Sequence, residues 1–119
     1  MVGYSTKIPL YNDDNSLKGF QYRDEYGIVH RENGPAYEFI NGTKKWLIHG
    51  MFHRLEGAAI IWNNGVKDWY ITGSLIHKDF HPFNIFRNEY NLSEDYEEWS
   101  IEMKVLFKLS YDGITGEVE

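Results

Sequence analysis

The sequence predicts a mainly β protein of stacked antiparallel β-hairpins that repeat every 23 residues and are followed by a C-terminal α-helix. Three observations predict this fold: an internal repeat, an Asn-Gly pair at the same place in each repeat, and an acid-rich amphipathic segment after the repeats. A chain of 119 residues suits a single domain over residues 1–119. Its composition, 42% hydrophobic and 25% charged, is typical of a globular protein rather than a disordered one.

The internal repeat becomes visible when residues 30–50 are aligned with residues 53–73, which gives ten identities in 21 positions. The identical pairs are His30/His53, Arg31/Arg54, Gly34/Gly57, Ala36/Ala59, Asn41/Asn64, Gly42/Gly65, Lys44/Lys67, Trp46/Trp69, Ile48/Ile71 and Gly50/Gly73. The similarity weakens on both sides, so we expect hairpin repeats over residues 17–81, with a degenerate unit at the start and a truncated one at the end. Atypical end units are expected because they must stop the stacking.

Each repeat is predicted to be one hairpin, because its Asn-Gly pair lies between two segments rich in β-formers. Asn-Gly favours a two-residue type I′ turn, in which both residues have positive φ. Such turns at Asn41-Gly42 and Asn64-Gly65 would fix the register of both hairpins. The register predicted from them places Tyr37 opposite Trp46 and Ile60 opposite Trp69, with all four side chains largely buried.

The composition changes after His81. Residues 82–92 are rich in Pro, Phe and Asn and are interpreted as a connector. Ser93 is a suitable N-cap, and apolar residues then recur at helical spacing, which predicts a capping helix over residues 93–108. Residues 109–119 are expected to form a frayed tail.

The motif His30-Arg31-Glu32-Asn33-Gly34-Pro35-Ala36, followed by Asn41-Gly42 and by Trp46 and Gly50, resembles a repeat of small uncharacterised proteins from tailed bacteriophages and large DNA viruses. The spacing of its glycines and aromatic residues is similar to that of MORN-type repeats, which form stacked β-hairpins in an elongated sheet. The resemblance covers about residues 17–79. It implies a MORN-like fold and a phage accessory protein that binds partners in the host cytoplasm. A lipid-binding role is not carried over, because the His-Arg linker departs from ordinary MORN repeats.

Charge indicates where a partner would bind. The chain has 12 basic and 18 acidic residues and a net charge of −6, which disfavours direct binding to nucleic acid. Residues 89–102 hold six acids and no base. A docking surface on this helix for a host protein with a basic surface, including a defence protein that it would inhibit, is our first functional hypothesis. The residues predicted to bind this partner are Glu94, Glu97, Glu98, Ile101, Glu102 and Val105.

A small-molecule binder that sequesters a nucleotide signal is the alternative, with Arg31 and Arg54 as its ligand edge. The pairs His49/His53 and His77/His81 have the spacing of helical zinc ligands, but they fall on predicted strand ends and linkers, so no metal is expected.

We identify no catalytic residues and expect no enzyme activity and no cofactor. The absence of cysteine excludes disulfides. No stretch suits a membrane span or a secretory signal, so a cytoplasmic protein is expected, and it could form homo-oligomers.

Overall fold

A computed structural model describes residues 5–111 and residue 113. This part of the chain is mainly β, with antiparallel hairpin strands and two α-helices. The strands are β1 (Thr6–Tyr11), β2 (Leu17–Arg23), β3 (Tyr37–Phe39), β4 (Lys44–Lys45), β5 (Leu47–Ile48), β6 (Met51–Phe52), β7 (Ile60–Ile61), β8 (Lys67–Asp68), β9 (Tyr70–Ile71) and β10 (Ser74–Leu75). The helices are α1 (Pro82–Tyr90) and α2 (Ile101–Ser110), and short 3₁₀ helices lie at Lys78–Phe80 and Tyr96–Glu98.

The main sheet has six antiparallel strands in the order β1-β2-β3-β4-β7-β8. Strand β4 therefore pairs with β7, and the hairpin of β5 and β6 lies outside this sheet. The hairpin of β9 and β10 repeats that arrangement after β8. Each repeat thus contains two hairpins, a longer one in the sheet and a shorter one beside it, where the sequence predicts one.

The loops of the two hairpin types differ from the prediction. In each Asn-Gly loop only the glycine has positive φ, 97° at Gly42 and 88° at Gly65. These loops have three residues, with Phe39 N donating to Thr43 O at 3.0 Å in the first of them. Both central residues are left-handed instead at His49-Gly50, where φ is 51° and 79°. The predicted type I′ turns are therefore wrong at Asn-Gly, and their backbone geometry occurs in the short hairpins.

The longer loop changes the register by one residue. Tyr37 pairs with Lys45 rather than with Trp46, and Ile60 pairs with Asp68 rather than with Trp69. The reason is local: the Asn41 side chain accepts a hydrogen bond from Thr43 N at 2.9 Å, which stabilises an Asn-centred loop. A register shift of one residue moves the side chains of a strand to the opposite face of the sheet. Of the four side chains predicted to be largely buried, only Ile60 is (4% exposed), whereas Tyr37, Trp46 and Trp69 are half-buried.

The predicted connector over residues 82–92 is wrong, because helix α1 occupies residues 82–90. Pro82 stands at its first position, where no backbone N–H is needed, and Asn91 ends it with φ 54°. Its N-cap is His81, whose Nδ1 accepts a hydrogen bond from Phe83 N at 3.1 Å. Histidine is not among the common N-cap residues, so this start was not recognised in the sequence.

The helix predicted over residues 93–108 begins eight residues later, as α2 at Ile101. Trp99 is extended, and its indole N–H donates to Ser93 O at 2.8 Å, so the chain folds back before the helix starts. Ser100 caps α2 instead of Ser93, with its Oγ accepting from Met103 N at 3.2 Å. The helix extends to Ser110, two residues into the predicted tail, and residues 112 and 114–119 of that tail lie outside the described residues.

The main apolar core lies among the helices and the last repeat, not within the sheet. Five buried side chains form it, and each is at most 5% exposed: Leu55, Phe83, Phe86, Trp99 and Phe107. The half-buried Trp69 and Ile71 of the second repeat pack against it. The helices thus pack against the second repeat.

Candidate functional site

The two histidines of the repeated His-Arg motif lie inside the protein. His30 and His53 are each 4% exposed. Nδ1 of His30 accepts a hydrogen bond from His49 N at 2.8 Å, and Nδ1 of His53 accepts one from Thr72 N at the same distance. His49 and Thr72 are the non-glycine left-handed residues of the two short hairpin turns. Each histidine therefore holds the following turn in its strained backbone conformation, which is a structural role.

The arginines of the same motif each lie flat on an aromatic ring of the preceding unit. The guanidinium carbon of Arg31 is 3.9 Å from the centre of the Tyr22 ring, and that of Arg54 is 3.8 Å from the centre of the Trp46 ring. Both also donate hydrogen bonds to backbone carbonyls four residues later, Arg31 to Pro35 O at 3.1 Å and Arg54 to Ala58 O at 3.2 Å. The two arginines thus make the same stacking and hydrogen-bonding contacts.

The repeated glycine of the motif is explained by this geometry. A Cβ atom on Gly34 would lie 3.0 Å from the Arg31 guanidinium, and one on Gly57 would lie 3.0 Å from that of Arg54. A larger residue at either position would require the arginine side chain to shift by a few tenths of an ångström. The motif His-Arg-x-x-Gly-x-Ala therefore describes a stacked-arginine linker between successive hairpins.

The alternative ligand edge of Arg31 and Arg54 lies along a groove of about 390 Å³ that also contains Trp46 and Glu56. Burial lowers the pKa of Arg54 to about 10, although the carboxylates of Asp95 and Glu97 oppose this shift. Both guanidiniums already contact an aromatic ring and a backbone carbonyl within the protein. This geometry supports a structural role for both arginines rather than a ligand edge.

The other histidines also have local contacts. His81 is fully buried, and its Nε2 lies 2.9 Å from Arg54 O, to which it donates when its Nδ1 accepts from Phe83 N. Burial is the main cause that lowers the pKa of His81 to about 4, so the ring is neutral near pH 7. His77 is exposed, and its Nδ1 accepts from Asp79 N at 3.2 Å. Within residues 5–111 and 113, no group of three or more His, Cys, Asp or Glu residues is placed to hold a metal ion.

The predicted partner-binding acids differ in their surroundings. Glu94 lies 3.4 Å from the Arg87 guanidinium, and Glu97 lies 3.7 Å from Nζ of Lys104. Glu98 accepts a hydrogen bond from Ser93 Oγ, and Glu102 stands in the first turn of α2. Among the described residues, Glu98 and Glu102 form no ion pair. These two carboxylates are therefore the ones available to a cationic partner.

The predicted apolar partner residues lie on the outer face of α2. Ile101 is 76% exposed and Val105 is 52% exposed. The sequence analysis missed the next residue of this stripe, Leu109, which is 70% exposed. The signal was the four-residue spacing from Ile101 through Val105 to Leu109, which places all three on one helical face. Phe107, on the opposite face, is fully buried in the core.

We use the name α2 outer face for Ile101, Glu102, Val105 and Leu109 of α2, together with Glu98 of the 3₁₀ helix that precedes α2. It combines large exposed apolar side chains with two carboxylates that have no ion pair among the described residues. Scattered exposed apolar residues are normal on a protein surface, but an apolar stripe along a helix is typical of an interaction site. Such a surface can bind an apolar groove that is bordered by positive charge.

Comparison with models of known protein families, with curated proteins and with solved structures found no match to this chain. Neither helix among the described residues combines the length and the apolar character needed to cross a lipid bilayer.

Proposed function

We propose that this protein is a non-enzymatic binding module whose α2 outer face docks into a groove on a partner protein. The observation that carries the proposal is the exposure of Ile101, Val105 and Leu109 on one side of a helix whose other side is anchored in the core by Phe107. A helix held in this way presents its side chains with no further backbone ordering cost on binding.

The chemistry of the face defines the partner. Full burial of each large apolar side chain contributes about 1.5–3 kcal/mol, so three of them support a specific interaction. Glu98 and Glu102 favour Lys or Arg at the rim of the partner's groove, which speeds association at low salt. The net charge of −6 also favours a positively charged partner surface and argues against nucleic acid as the partner.

The biological setting comes from the sequence. The repeats resemble those of phage and large-DNA-virus proteins, and the MORN-like architecture of those repeats is typical of scaffolds that bind partners. We therefore propose an accessory protein that acts in the host cytoplasm by docking on a host protein, such as a defence protein, and modulating it. Self-association of two copies through the same face is a different outcome, which binding measurements distinguish from docking on a host protein.

The test compares two substitutions at valines of equal exposure. Val105 and Val66 are both 52% exposed, but Val66 lies in a hairpin loop far along the chain from α2. Proteins captured by the wild type from host lysate are purified, and their binding to the wild type, V105E and V66E is measured together with the melting temperature. We expect V105E to abolish binding to the captured partner, V66E to retain it, and both variants to melt near the wild type.

Charge is tested by the double variant E98K/E102K. Association with the same partner should slow by roughly tenfold at low salt, and the difference should shrink as salt rises. Equal binding by the wild type, V105E and E98K/E102K would overturn the proposal. A concentration-dependent dimer that V105E dissociates, with no other protein bound, would also overturn it by making a second copy the occupant.

A further inference from the structure

A second concave site lies at the junction between the last repeat and α1. It has a volume of about 350 Å³ and is separate from the α2 outer face. Its walls come from the second Asn-Gly hairpin, from the 3₁₀ helix at Lys78–Phe80 and from one face of α1. The side chains that matter for its chemistry are Lys67, Trp69, Lys78, Phe83, Asn84 and Arg87. We call it the junction cleft.

The junction cleft exists because the repeat pattern is broken there. In the two preceding units an arginine covers the aromatic residue, Arg31 on Tyr22 and Arg54 on Trp46. The equivalent position for Trp69 is His77, which is exposed and contacts the Phe80 ring, with 6.0 Å between ring centres. Among the described residues, no cation therefore stacks on Trp69, which forms part of the cleft wall.

The aromatic wall is the part of Trp69 that its neighbours leave exposed. Trp69 is half-buried, because the rings of His81 and Phe83 pack against it with ring centres 5.1 and 6.2 Å away. The indole N–H groups of Trp62 and Trp99 donate to Asp68 and to Ser93 O. Within the described part of the chain the indole N–H of Trp69 makes no such hydrogen bond. This indole N–H is therefore a donor without a partner among the described residues.

The cations of the cleft suit a phosphate group. Lys67 and Lys78 form no ion pair with a described residue. Arg87 is held in place, because its Nε donates to Asn84 Oδ1 at 3.1 Å and the Asn84 amide donates to Lys78 O at 2.8 Å. Asn84 is 7% exposed, so the side chain that positions Arg87 is itself buried.

Two carboxylates, Asp79 and Glu94, also line the cleft. Three cations against two carboxylates leave a charge of +1, in a protein whose net charge is −6. Glu94 is bound to Arg87 through a side chain that is 77% exposed, so an incoming anion can displace it. The cleft is thus a local positive site with an aromatic wall.

We propose that the junction cleft binds a free nucleoside monophosphate, with the base against Trp69 and the phosphate between Lys67, Lys78 and Arg87. The volume of about 350 Å³ is near the lower end for small-molecule sites, which suits a mononucleotide rather than a larger ligand. Charge-assisted hydrogen bonds to phosphate supply the affinity, and the aromatic wall supplies the preference for a ligand with a planar base.

The test measures binding of AMP, GMP, CMP and UMP to the full chain by calorimetry, with inorganic phosphate, adenosine and a 5′-phosphorylated oligonucleotide as comparison probes. We expect at least one monophosphate to bind at least tenfold more tightly than phosphate, adenosine or the oligonucleotide. Equal affinity for phosphate and the monophosphates, tighter binding of the oligonucleotide, or no binding of any monophosphate would overturn the proposal.

Two matched double variants locate the site. K67Q/K78Q removes the lysines of the cleft, whereas K18Q/K44Q removes two other exposed lysines and causes the same change in net charge. The first should weaken monophosphate binding by tenfold or more and the second by less than twofold, with unchanged melting temperatures. Equal losses of monophosphate affinity in the two variants would contradict the placement of the site in the junction cleft. V105E should bind the monophosphate like the wild type, so failure here is distinguishable from failure of the docking proposal.

Discussion

Two equivalent tryptophans, Trp46 in the first repeat and Trp69 in the second, are covered in different ways. Arg54 of the following linker stacks on Trp46, with 3.8 Å between the guanidinium carbon and the ring centre. Trp69 is followed by no complete unit, and the rings of His81 and Phe83 pack against it, with centres 5.1 and 6.2 Å away. An internal repeat is thus stabilised by its neighbour, whereas the last repeat needs the helices as a cap.

This difference separates two kinds of stabilisation. Within the sheet, stabilising contacts are spread over stacked arginines, buried histidines and hairpin turns rather than concentrated in one core. At the cap, aromatic side chains from both helices and from the segment before α2 meet in one core that includes Phe83, Trp99 and Phe107. Substitutions should therefore have large effects at the cap and smaller ones within the repeats.

The largest effect is expected for F107A at the cap. Phe107 is fully buried and contacts the rings of Phe83, Phe86 and Trp99, so its removal leaves a cavity in the core. We expect a loss of about 3–5 kcal/mol in the free energy of unfolding, measured by urea denaturation. The matched variant F39A, at a half-buried position of the sheet, should cost clearly less. An equal loss in both variants would mean that the core is not concentrated at the cap.

The second effect is a dependence of stability on pH that arises from His81 at the cap. Its pKa is lowered to about 4 in the folded protein, mainly by burial, against about 6.5 in the unfolded chain. Between pH 6.5 and 4 the unfolded state binds more protons, so the free energy of unfolding should decrease as the pH is lowered through this range, by about 3 kcal/mol in all. Above pH 6.5 this group should contribute no pH dependence.

The variant H81N is the control for that prediction, since an Asn oxygen can also accept the N-cap hydrogen bond. It should be less stable than the wild type at pH 7.5, because the contact with Arg54 O is lost. Its stability should nevertheless decrease less between pH 6.5 and 4, as followed by denaturation across that range. The same decrease in both proteins would assign the pH dependence to other groups.

The third prediction sharpens the comparison within the repeats, between the two stacked arginines. Burial lowers the pKa of Arg54, whereas the Arg31 side chain is 27% exposed and lies 3.5 Å from Glu38. Stacking on an aromatic ring is stronger where water is excluded. R54M should therefore cost about 2 kcal/mol and R31M about 1 kcal/mol in thermal or urea unfolding. An R31M loss as large as that of R54M would contradict this order.

The smallest effect is expected at the hairpin loops. Gly42 has φ 97°, and no heavy atom would contact a Cβ placed there, so G42A tests backbone conformation alone. It should cost about 1 kcal/mol. The loop between β1 and β2 has Asn15 at the equivalent position with φ 68°, so G42N should cost less than G42A. Equal losses in G42A and G42N, compared by their melting temperatures, would show that left-handed backbone strain is not the cause.

Several features follow from the sequence because they depend on neighbouring residues. The 23-residue repeat places His30 and His53, and Arg31 and Arg54, in the same surroundings, and in both units they make the same contacts. The antiparallel hairpins were predictable from Asn-Gly between β-rich segments. The exposed apolar line of Ile101 and Val105 was predictable from helical spacing, although its full length to Leu109 was not recognised.

Other features were decided by contacts between distant parts of the chain. The start of α2 depends on Trp99, which is drawn into the core and whose indole donates to Ser93 O, so the N-cap moves from Ser93 to Ser100. Helix α1 depends on a buried histidine, because His81 caps it while its other ring nitrogen contacts Arg54 O, 27 residues earlier. Neither contact has a signature in the local sequence.

The sequence by itself determined the period, the hairpins, the equivalence of the two linkers and the acidic and apolar character of the C-terminal segment, because each depends on residue type and short-range spacing. Only the tertiary structure decided the helix boundaries and the junction cleft, and the register follows from a local Asn-centred loop that is one residue longer than the predicted turn. The register depends on whether the Asn-Gly loop has two or three residues. The shape of the cleft depends on where α1 packs against the last repeat. These choices balance loop geometry against burial in the shared core, and that balance exists only when the whole chain is folded.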